Sequence, residues 1–278
     1  TTRHALYLKQ AFGFSAPVAR GAAKPINAAA AAAPVTFVHG DNGLGNIPIP
    51  AVTETADTRS AAALIIDLVR AHPNEVTIIA VGRMTNLAEA IARDPGIVPL
   101  VKAVSVMGGA FGRNGHFGNV TPVAEANIIG DPVAADIVFG ADWPMTIVGL
   151  DVTHESVMTD DYVKDLAAHG GKDGAFLWEV SRFYANFYTS TRQFLNGFAV
   201  HDSSAVAAAL HPEFFTYERG PVRVVADGIA RGQTILRPEG HYDRATDWDG
   251  RPSCNVAVSV DAKAFLAFYR DTIVNGAR

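Results

Sequence analysis

"KAVSVMGG", Lys102–Gly109, is a short apolar run closed by a pair of glycines. Two further runs share its design: "EVTIIAVG" at Glu75–Gly82 and "PMTIVGLD" at Pro144–Asp151. Each is rich in Val, Ile or Met, and each is broken by Gly. Continuous apolar runs of this length suit strands buried on both faces, as in a parallel sheet. Helical patterns separate them. In "DTRSAAALIIDLVRAHP" (Asp57–Pro73), Ala61, Leu64, Ile65, Leu68 and Val69 form one apolar stripe. Asp57 or Thr58 is placed to cap its start, and Pro73 follows its end. "MTNLAEAIARDPG" (Met84–Gly96) and "DPVAADIVFG" (Asp131–Gly140) read as two shorter helices. This alternation predicts an α/β fold with a mostly parallel central sheet flanked by helices, and residues 1–278 form one domain without a clear linker. Ligands of such folds bind beyond the carboxyl ends of the strands, here near Gly82, Gly108-Gly109 and Gly149.

The bulk properties narrow the function. A chain of 278 residues, 49% hydrophobic and 18% charged, is long and apolar enough for a sizeable core. The net charge of -5 comes with scattered Lys and Arg, which argues against nucleic acid or an anionic membrane as partner. The single cysteine, Cys254, excludes an internal disulfide and a Cys-based zinc site, and reads as a small buried apolar residue. No apolar stretch is long enough to span a bilayer and no secretory signal opens the sequence, so the cytoplasm is the default compartment.

Three segments carry chemistry. "GNVTPVAEANIIGDP" (Gly118–Pro132) offers Asn119, Glu125 and Asn127 among small apolar residues. In an extended segment Glu125 and Asn127 would share a face, and Asp131-Pro132 reads as an N-cap and first helical position. These polar groups either satisfy loop backbone or grip a ligand with vicinal hydroxyls. "TFVHGDNGLGN" (Thr36–Asn46) places His39 after a strand-like "VTFV" and before Gly40, Gly43 and Gly45. That glycine order does not match the dinucleotide fingerprint, and no helix follows, so a phosphate cradle and a nicotinamide enzyme are disfavoured. "FAVHDSSAVAAALHP" (Phe198–Pro212) sets His201 beside Asp202 at the threshold of a small-residue helix. Asp202 is either that helix's N-cap or the ligand of a hard cation, with His201 as proton donor. A longer helix runs through "GAFLWEVSRFYANFYTSTRQF" (Gly174–Phe194), with Phe176, Val180, Phe183 and Phe187 on one stripe and Tyr184, Tyr188 and Gln193 aimed elsewhere. "NVAVSVDAKAFLAFY" (Asn255–Tyr269) alternates like a strand and then turns helical, and "NAAAAAAP" (Asn27–Pro34) reads as a surface turn or short helix.

Taken together, "FVHGDNGLG", "MTNLAEA", "VMGGAFGRNGHFGNVTPVAEANIIGDP", "TIVGLDVTH" and "AVHDSSA" resemble the inosine-uridine preferring nucleoside hydrolase family, in that family's order. The resemblance implies calcium-dependent hydrolysis of the N-glycosidic bond of ribonucleosides to ribose and free base, by a homodimer or homotetramer. It places Asn119, Glu125 and Asn127 on ribose hydroxyls. Asp202 and the Thr85 carbonyl would bind calcium and, for Asp202, the sugar. His201 would stand near the base as the acid for a purine leaving group. His39 and Met107 would line the base side, with Tyr184, Tyr188 and Gln193 on a helix the family uses as a lid. The family opens with an aspartate cluster, DTDPGxDD, that supplies two calcium ligands and the base for water. No segment here carries it, and "TTRHALYLKQAFG" resembles the helix after the family's second strand. One strand–helix unit of roughly 30–40 residues is thus expected upstream, and activity is expected only with its aspartates. The rival reading is a non-catalytic nucleoside- or sugar-binding protein, or an inactive truncated homologue. Ala126 stands where the family has Phe, leaving space beside the sugar, and "VGRMTN" (Val81–Asn86) replaces a Gly-Pro-Leu-Thr-Asn pattern.

Overall fold

The computed structural model describes residues 1–26, 35–191, 193 and 196–276. The Asn27–Pro34 tract lies outside them. In chain order the first half comprises α1 (Thr2–Phe12), β1 (Ala19–Arg20), α2 (Thr36–His39), β2 (Asp57–Ser60), α3 (Ala61–Ala71), β3 (Thr77–Ala80), α4 (Thr85–Arg93), β4 (Ala103–Met107), α5 (Ala126–Gly130) and α6 (Pro132–Phe139). The second half comprises β5 (Met145–Val148), α7 (Leu150–Thr153), β6 (Val157–Met158), α8 (Asp160–His169), α9 (Gly171–Ser190), β7 (Phe198–Ala199), α10 (Asp202–Leu210), β8 (Phe215–Gly220), β9 (Val222–Val224), β10 (Thr234–Leu236), β11 (Cys254–Val260) and α11 (Ala262–Asn275).

The three apolar runs become β3, β4 and β5, hydrogen-bonded side by side in the central sheet of order β3-β4-β5-β11-β8. All pairs are parallel except β8, which runs antiparallel to β11 at one edge. The mostly parallel sheet expected from the sequence is thus present. Its runs lack polar alternation because both faces are covered. Val104 and Val106 face a core with Met84, the N-cap of α4, Leu87 of α4, and Val138 and Phe139 of α6. Ser105 and Met107 turn the other way, where the Ser105 hydroxyl donates to the Ala205 carbonyl of α10 at 2.7 Å. Such an approach of helix backbone to strand is possible because α10 presents Ser204, Ala205, Ala207 and Ala208. Cys254 is buried, as expected. At the opposite edge, β3 pairs only with β4 among the described residues, and β1 and β2 form a separate parallel pair.

Several local expectations are corrected. "VTFV" is not a strand: Thr36–His39 is a single helical turn. The cap of α3 is Ser60, whose hydroxyl accepts from Ala63 N at 3.3 Å; Asp57 lies in β2, where it pairs with Arg59 at 2.7 Å. In α9 the buried stripe is Gly174, Ser181, Ala185 and Tyr188, and the phenylalanines are only half-buried. Small residues are favoured there because α8 packs directly along α9, and Leu166 O would lie against any side chain at Gly174. Phe176 instead packs edge-on against Phe12 of α1, centroids 5.2 Å apart, and Phe187 meets Phe37 of α2 at 5.9 Å.

Asp131 caps α6 as expected, its Oδ1 accepting from Ala134 N at 3.2 Å with Pro132 at the first turn. Its fully buried carboxylate also accepts from Ile26 N (2.8 Å) and from the Thr85 hydroxyl (2.7 Å), tying α4 to α6. Removing an acceptor that serves three donors should cost more than removing one cap bond. In urea unfolding, Asp131→Ala is expected to destabilise by about 3 kcal/mol and Ser60→Ala by about 1 kcal/mol; equal losses would show that the shared carboxylate does not bind the two helices together.

Candidate active site

The carboxyl ends of β3 and β4 open into a cavity of about 840 Å³, within the range of small-molecule pockets. Residues distant in sequence line it. Met107 closes β4, Asn119 follows in the glycine-rich segment, and Glu125, Ala126 and Asn127 begin α5. His39 comes from α2, Tyr184 and Tyr188 from α9, Gln193 from just beyond it, and His201 and Asp202 from the junction of β7 with α10. Of the residues singled out from the sequence, only Thr85 lies off this wall. It is buried at the start of α4 with its hydroxyl on Asp131.

Glu125 and Asn127 do not alternate along an extended segment; the helix begins at Ala126, with Glu125 as its N-cap. Glu125 Oε1 accepts from Asn127 N at 2.9 Å, and Oε2 accepts from Ile128 N at 3.2 Å and from Gly109 N at 3.1 Å. One carboxylate therefore satisfies the first N–H groups of α5 and a backbone N–H beyond β4. Burial pushes its carboxyl up to about 7, with the nearby Asp202 charge adding to the rise and the three N–H donors opposing it. Asn119 Oδ1 accepts from Ala126 N at 3.0 Å, and Asn127 Nδ2 donates to the Met107 carbonyl at 3.1 Å. These bonds leave Asn119 Nδ2 and Asn127 Oδ1 without a hydrogen-bond partner among the described residues, on the cavity wall.

The glycine-rich segment ahead of Asn119 is held from beneath by Asp151, a fully buried residue of α7. Its carboxylate accepts from Phe111 N at 2.9 Å and Arg113 N at 2.6 Å, and its carbonyl accepts from Asn114 Nδ2 at 2.9 Å. In the glycine-rich loop after α2, one glycine is required by packing against α9. Gly45 is left-handed (φ 65), and a Cβ there would sit 2.7 Å from the Val180 carbonyl.

His201 sits at the bend between β7 and α10, immediately before Asp202 opens the helix, and both line the cavity. Its Nδ1 lies 2.8 Å from Thr153 Oγ1 and its Nε2 lies 2.8 Å from Tyr188 Oη. Tyr188 Oη is in turn 3.1 Å from Tyr184 Oη, and the Tyr184 ring stacks on His39 with centroids 5.6 Å apart. An unperturbed imidazole titrates near neutrality. Burial, reinforced by His154 with its ring centroid 5.4 Å away, instead lowers His201 to about 3. It is a neutral imidazole at neutral pH. Burial also lowers His39 and raises the phenols of Tyr184 and Tyr188, so this wall is polar but uncharged.

Asp202 opens to solvent through the cavity while protein surrounds it on most sides, and desolvation raises it to about 6. It is the first residue of α10 rather than its cap; His201 holds the N-cap position. As a hard oxygen donor Asp202 suits a cation such as calcium. The described residues do not complete a shell for one, because no cluster of three or more His, Cys, Asp or Glu is arranged to hold a metal. Glu125 is occupied by its N–H donors. "DPG" at Asp94–Gly96 is likewise no substitute, since Asp94 pairs with Arg70 at 2.6 Å.

Thr153, Tyr184, His154 and Asp151 belong to this site or support it, yet the sequence singled out only Tyr184, as part of the lid helix that the resemblance implies. "GLDVTH" contains three of them, but their contacts are with residues far along the chain, and no local spacing announces them.

The family model described as "Inosine-uridine preferring nucleoside hydrolase" matches residues 1–267. A probable uridine nucleosidase 1 of Oryza sativa subsp. japonica is 38% identical over 98% of this chain and 83% of its own length. The solved plant nucleoside hydrolase PpNRh1 superposes with a TM-score of 0.92 at 34% identity, over 98% of this chain and 85% of that one. A purine-preferring ribonucleoside hydrolase from Gardnerella vaginalis gives 0.88 at 33% identity, over 98% and 84%. The chain belongs to the inosine-uridine preferring nucleoside hydrolase family. It is a hydrolase of the N-glycosidic bond of ribonucleosides, in a family whose members are generally metal-dependent.

The raised carboxyl of Glu125 has a measurable sign. Its unfolded-state value is near 4.5 and its folded value near 7, so between them the folded state holds a proton that the unfolded state has lost. Stability from this group is complete below about pH 4.5 and falls as pH rises through 7. Measured by urea unfolding against Glu125→Gln, wild type should lose on the order of 3 kcal/mol across that window. A difference between the two proteins that does not change with pH would show that the N–H donors cancel the effect of burial, and stability lost instead as pH falls would show that the donors govern the group.

Proposed function

We propose that this cavity binds a ribonucleoside with its ribose on Asn119, Glu125, Asn127 and Asp202 and its base toward His39, Met107, Tyr188 and Gln193. The observation that carries the reading is convergence: polar groups from five separate segments line one cavity of about 840 Å³. A carboxylate and two carboxamides can bond vicinal hydroxyls from several directions, while the aromatic wall offers a flat apolar surface to a base. Ala126 is exposed on the cavity wall beside these groups, in keeping with extra space near the sugar.

Hydrolysis breaks the C1′–N bond, adds the water oxygen to C1′ and delivers a proton to the departing base. Positive charge builds on the ribosyl ring as the bond stretches. Glu125 and Asp202 are costly to ionise in the resting cavity, because burial raises both. A developing cation between them offsets that cost, so their attraction for the ring grows along the reaction coordinate. Interactions that strengthen in this way accelerate the chemical step rather than merely binding substrate. His201 stands at the base side, where a buried N–H can meet a leaving nitrogen.

Calcium is the ion this reading assigns, because the donors proposed, Asp202 and the Thr85 carbonyl, are oxygens. A shell of six to eight oxygens needs further carboxylates. A homodimer or homotetramer in the cytoplasm completes the proposal, and light scattering of the purified protein reads its assembly.

Reducing-sugar release from uridine and inosine tests the activity. Release that stops with EDTA and returns with calcium is expected; release indifferent to chelation removes the ion, and tight nucleoside binding without release favours a binding protein. Asn127→Ala is expected to weaken ribose binding and raise KM about tenfold, as for the loss of a hydrogen bond worth about 1.4 kcal/mol. Unchanged KM and kcat would take Asn127 off the sugar.

A further inference from the structure

Thr153 ends α7 beneath the cavity floor, and its side chain is fully buried. Among the described residues its hydroxyl has one hydrogen-bond partner, the Nδ1 of His201 at 2.8 Å. The two residues lie 48 positions apart, so the contact is purely tertiary. Two arrangements of protons are conceivable across it. If Nδ1 carried the hydrogen, Thr153 Oγ1 would accept it, and the hydroxyl's own proton would be left in a dry interior with no acceptor. A buried donor without a partner bears the whole cost of its desolvation. If Thr153 donates instead, Nδ1 uses its lone pair and every group at the contact is satisfied.

The second arrangement fixes the other side of the ring. A neutral imidazole carries one hydrogen, so a lone pair at Nδ1 places that hydrogen on Nε2. Nε2 lies 2.8 Å from Tyr188 Oη, whose other hydroxyl neighbour is Tyr184 at 3.1 Å. Both tyrosines and His201 line the cavity. The chain of donors thus runs outward from the buried threonine to the cavity wall.

We propose that the Thr153 hydroxyl donates a hydrogen bond to His201 Nδ1 and so holds His201 as the neutral Nε2–H tautomer, making Thr153 a positioning residue that aims the one ring N–H at the base side of the cavity, where Tyr188 Oη accepts it in the empty site and a departing base competes for it. The base-side role rests on the ribonucleoside reading above; the tautomer itself does not. In this arrangement His201 stabilises negative charge gathering on the leaving nitrogen through a hydrogen bond, and the proton that completes the free base is the one the attacking water releases on bonding to C1′, delivered through solvent. The conservative replacement Thr153→Ser keeps the donor, whereas Thr153→Val keeps the shape and removes it.

Long-range 1H–15N correlation spectra of the uniformly labelled protein at neutral pH read the tautomer directly, with His201 assigned by the cross-peaks lost in His201→Gln. The expected pattern is an unprotonated Nδ1 and a protonated Nε2 in wild type and in Thr153→Ser, with a shift toward Nδ1–H in Thr153→Val. In parallel, Thr153→Val should lower kcat on a natural nucleoside by roughly tenfold or more, the scale at which a single positioned donor acts. KM should move little, Thr153→Ser should restore turnover, and p-nitrophenyl riboside, whose leaving group needs no donor, should be cleaved as by wild type. A wild-type His201 protonated on Nδ1, or a pattern unchanged in Thr153→Val, overturns the assignment whatever the activity. The predicted spectra with equal losses on both substrates overturn the positioning role while leaving the tautomer. Absence of any nucleoside cleavage in the full-length wild-type protein fails the ribonucleoside reading and the positioning role built on it, and the spectra still decide the tautomer.

Discussion

Three backbone N–H groups, those of Gly109, Asn127 and Ile128, converge on the Glu125 carboxylate, and the cavity is arranged around that knot. Gly109 lies just beyond the end of β4, whereas Asn127 and Ile128 are in the first turn of α5. A single side chain thereby joins the carboxyl edge of a buried parallel sheet to the start of a helix that no short loop connects to it. The intervening glycine-rich segment is free to bulge outward, and Asp151 anchors it from below through Phe111 and Arg113. With both ends of the segment held, Asn119 and Asn127 are presented to the same cavity although only one of them is helical.

The opposite wall is built by different means. Small residues in α10 let it lie close on β4 and β5, which brings the bend at His201 and Asp202 over the strand ends. Tyr188 is the buried end of the small-residue stripe on α9, and its hydroxyl reaches His201 because that stripe packs against α8 so closely. The two walls therefore differ in chemistry. One carries carboxylates whose ionisation is costly, and the other carries neutral donors: an imidazole and two phenols held uncharged by the same burial. A ligand that becomes cationic on one side while shedding electrons to a leaving group on the other is matched by that division.

Much of this was legible along the chain for a definite reason. Strands covered on both faces are written as unbroken apolar runs, so β3, β4 and β5 were readable, and Asp131-Pro132 is a strong local start signal for α6. The polar residues of the site were also visible, because carboxamides and a carboxylate stand out among alanine, valine and isoleucine. Local reading failed where context overrode preference. Four β-branched and aromatic residues before Gly40 form a helical turn against α9. The start of α5 was missed because glutamate is not a favoured N-cap, and it serves here through a bond to a third N–H outside the helix.

By itself, then, the sequence determined the kind of sheet, the succession of helices and the identity of the groups able to grip a sugar, since burial and residue chemistry are written into local pattern. Only the tertiary structure decided which of those groups meet, and in what protonation state. Thr153 acquires a partner 48 residues away, and Glu125, Asp202 and His201 acquire shifted acidities from atoms contributed by other elements. Dielectric surroundings and hydrogen-bond direction are properties of packing in three dimensions, and no spacing along one dimension encodes them.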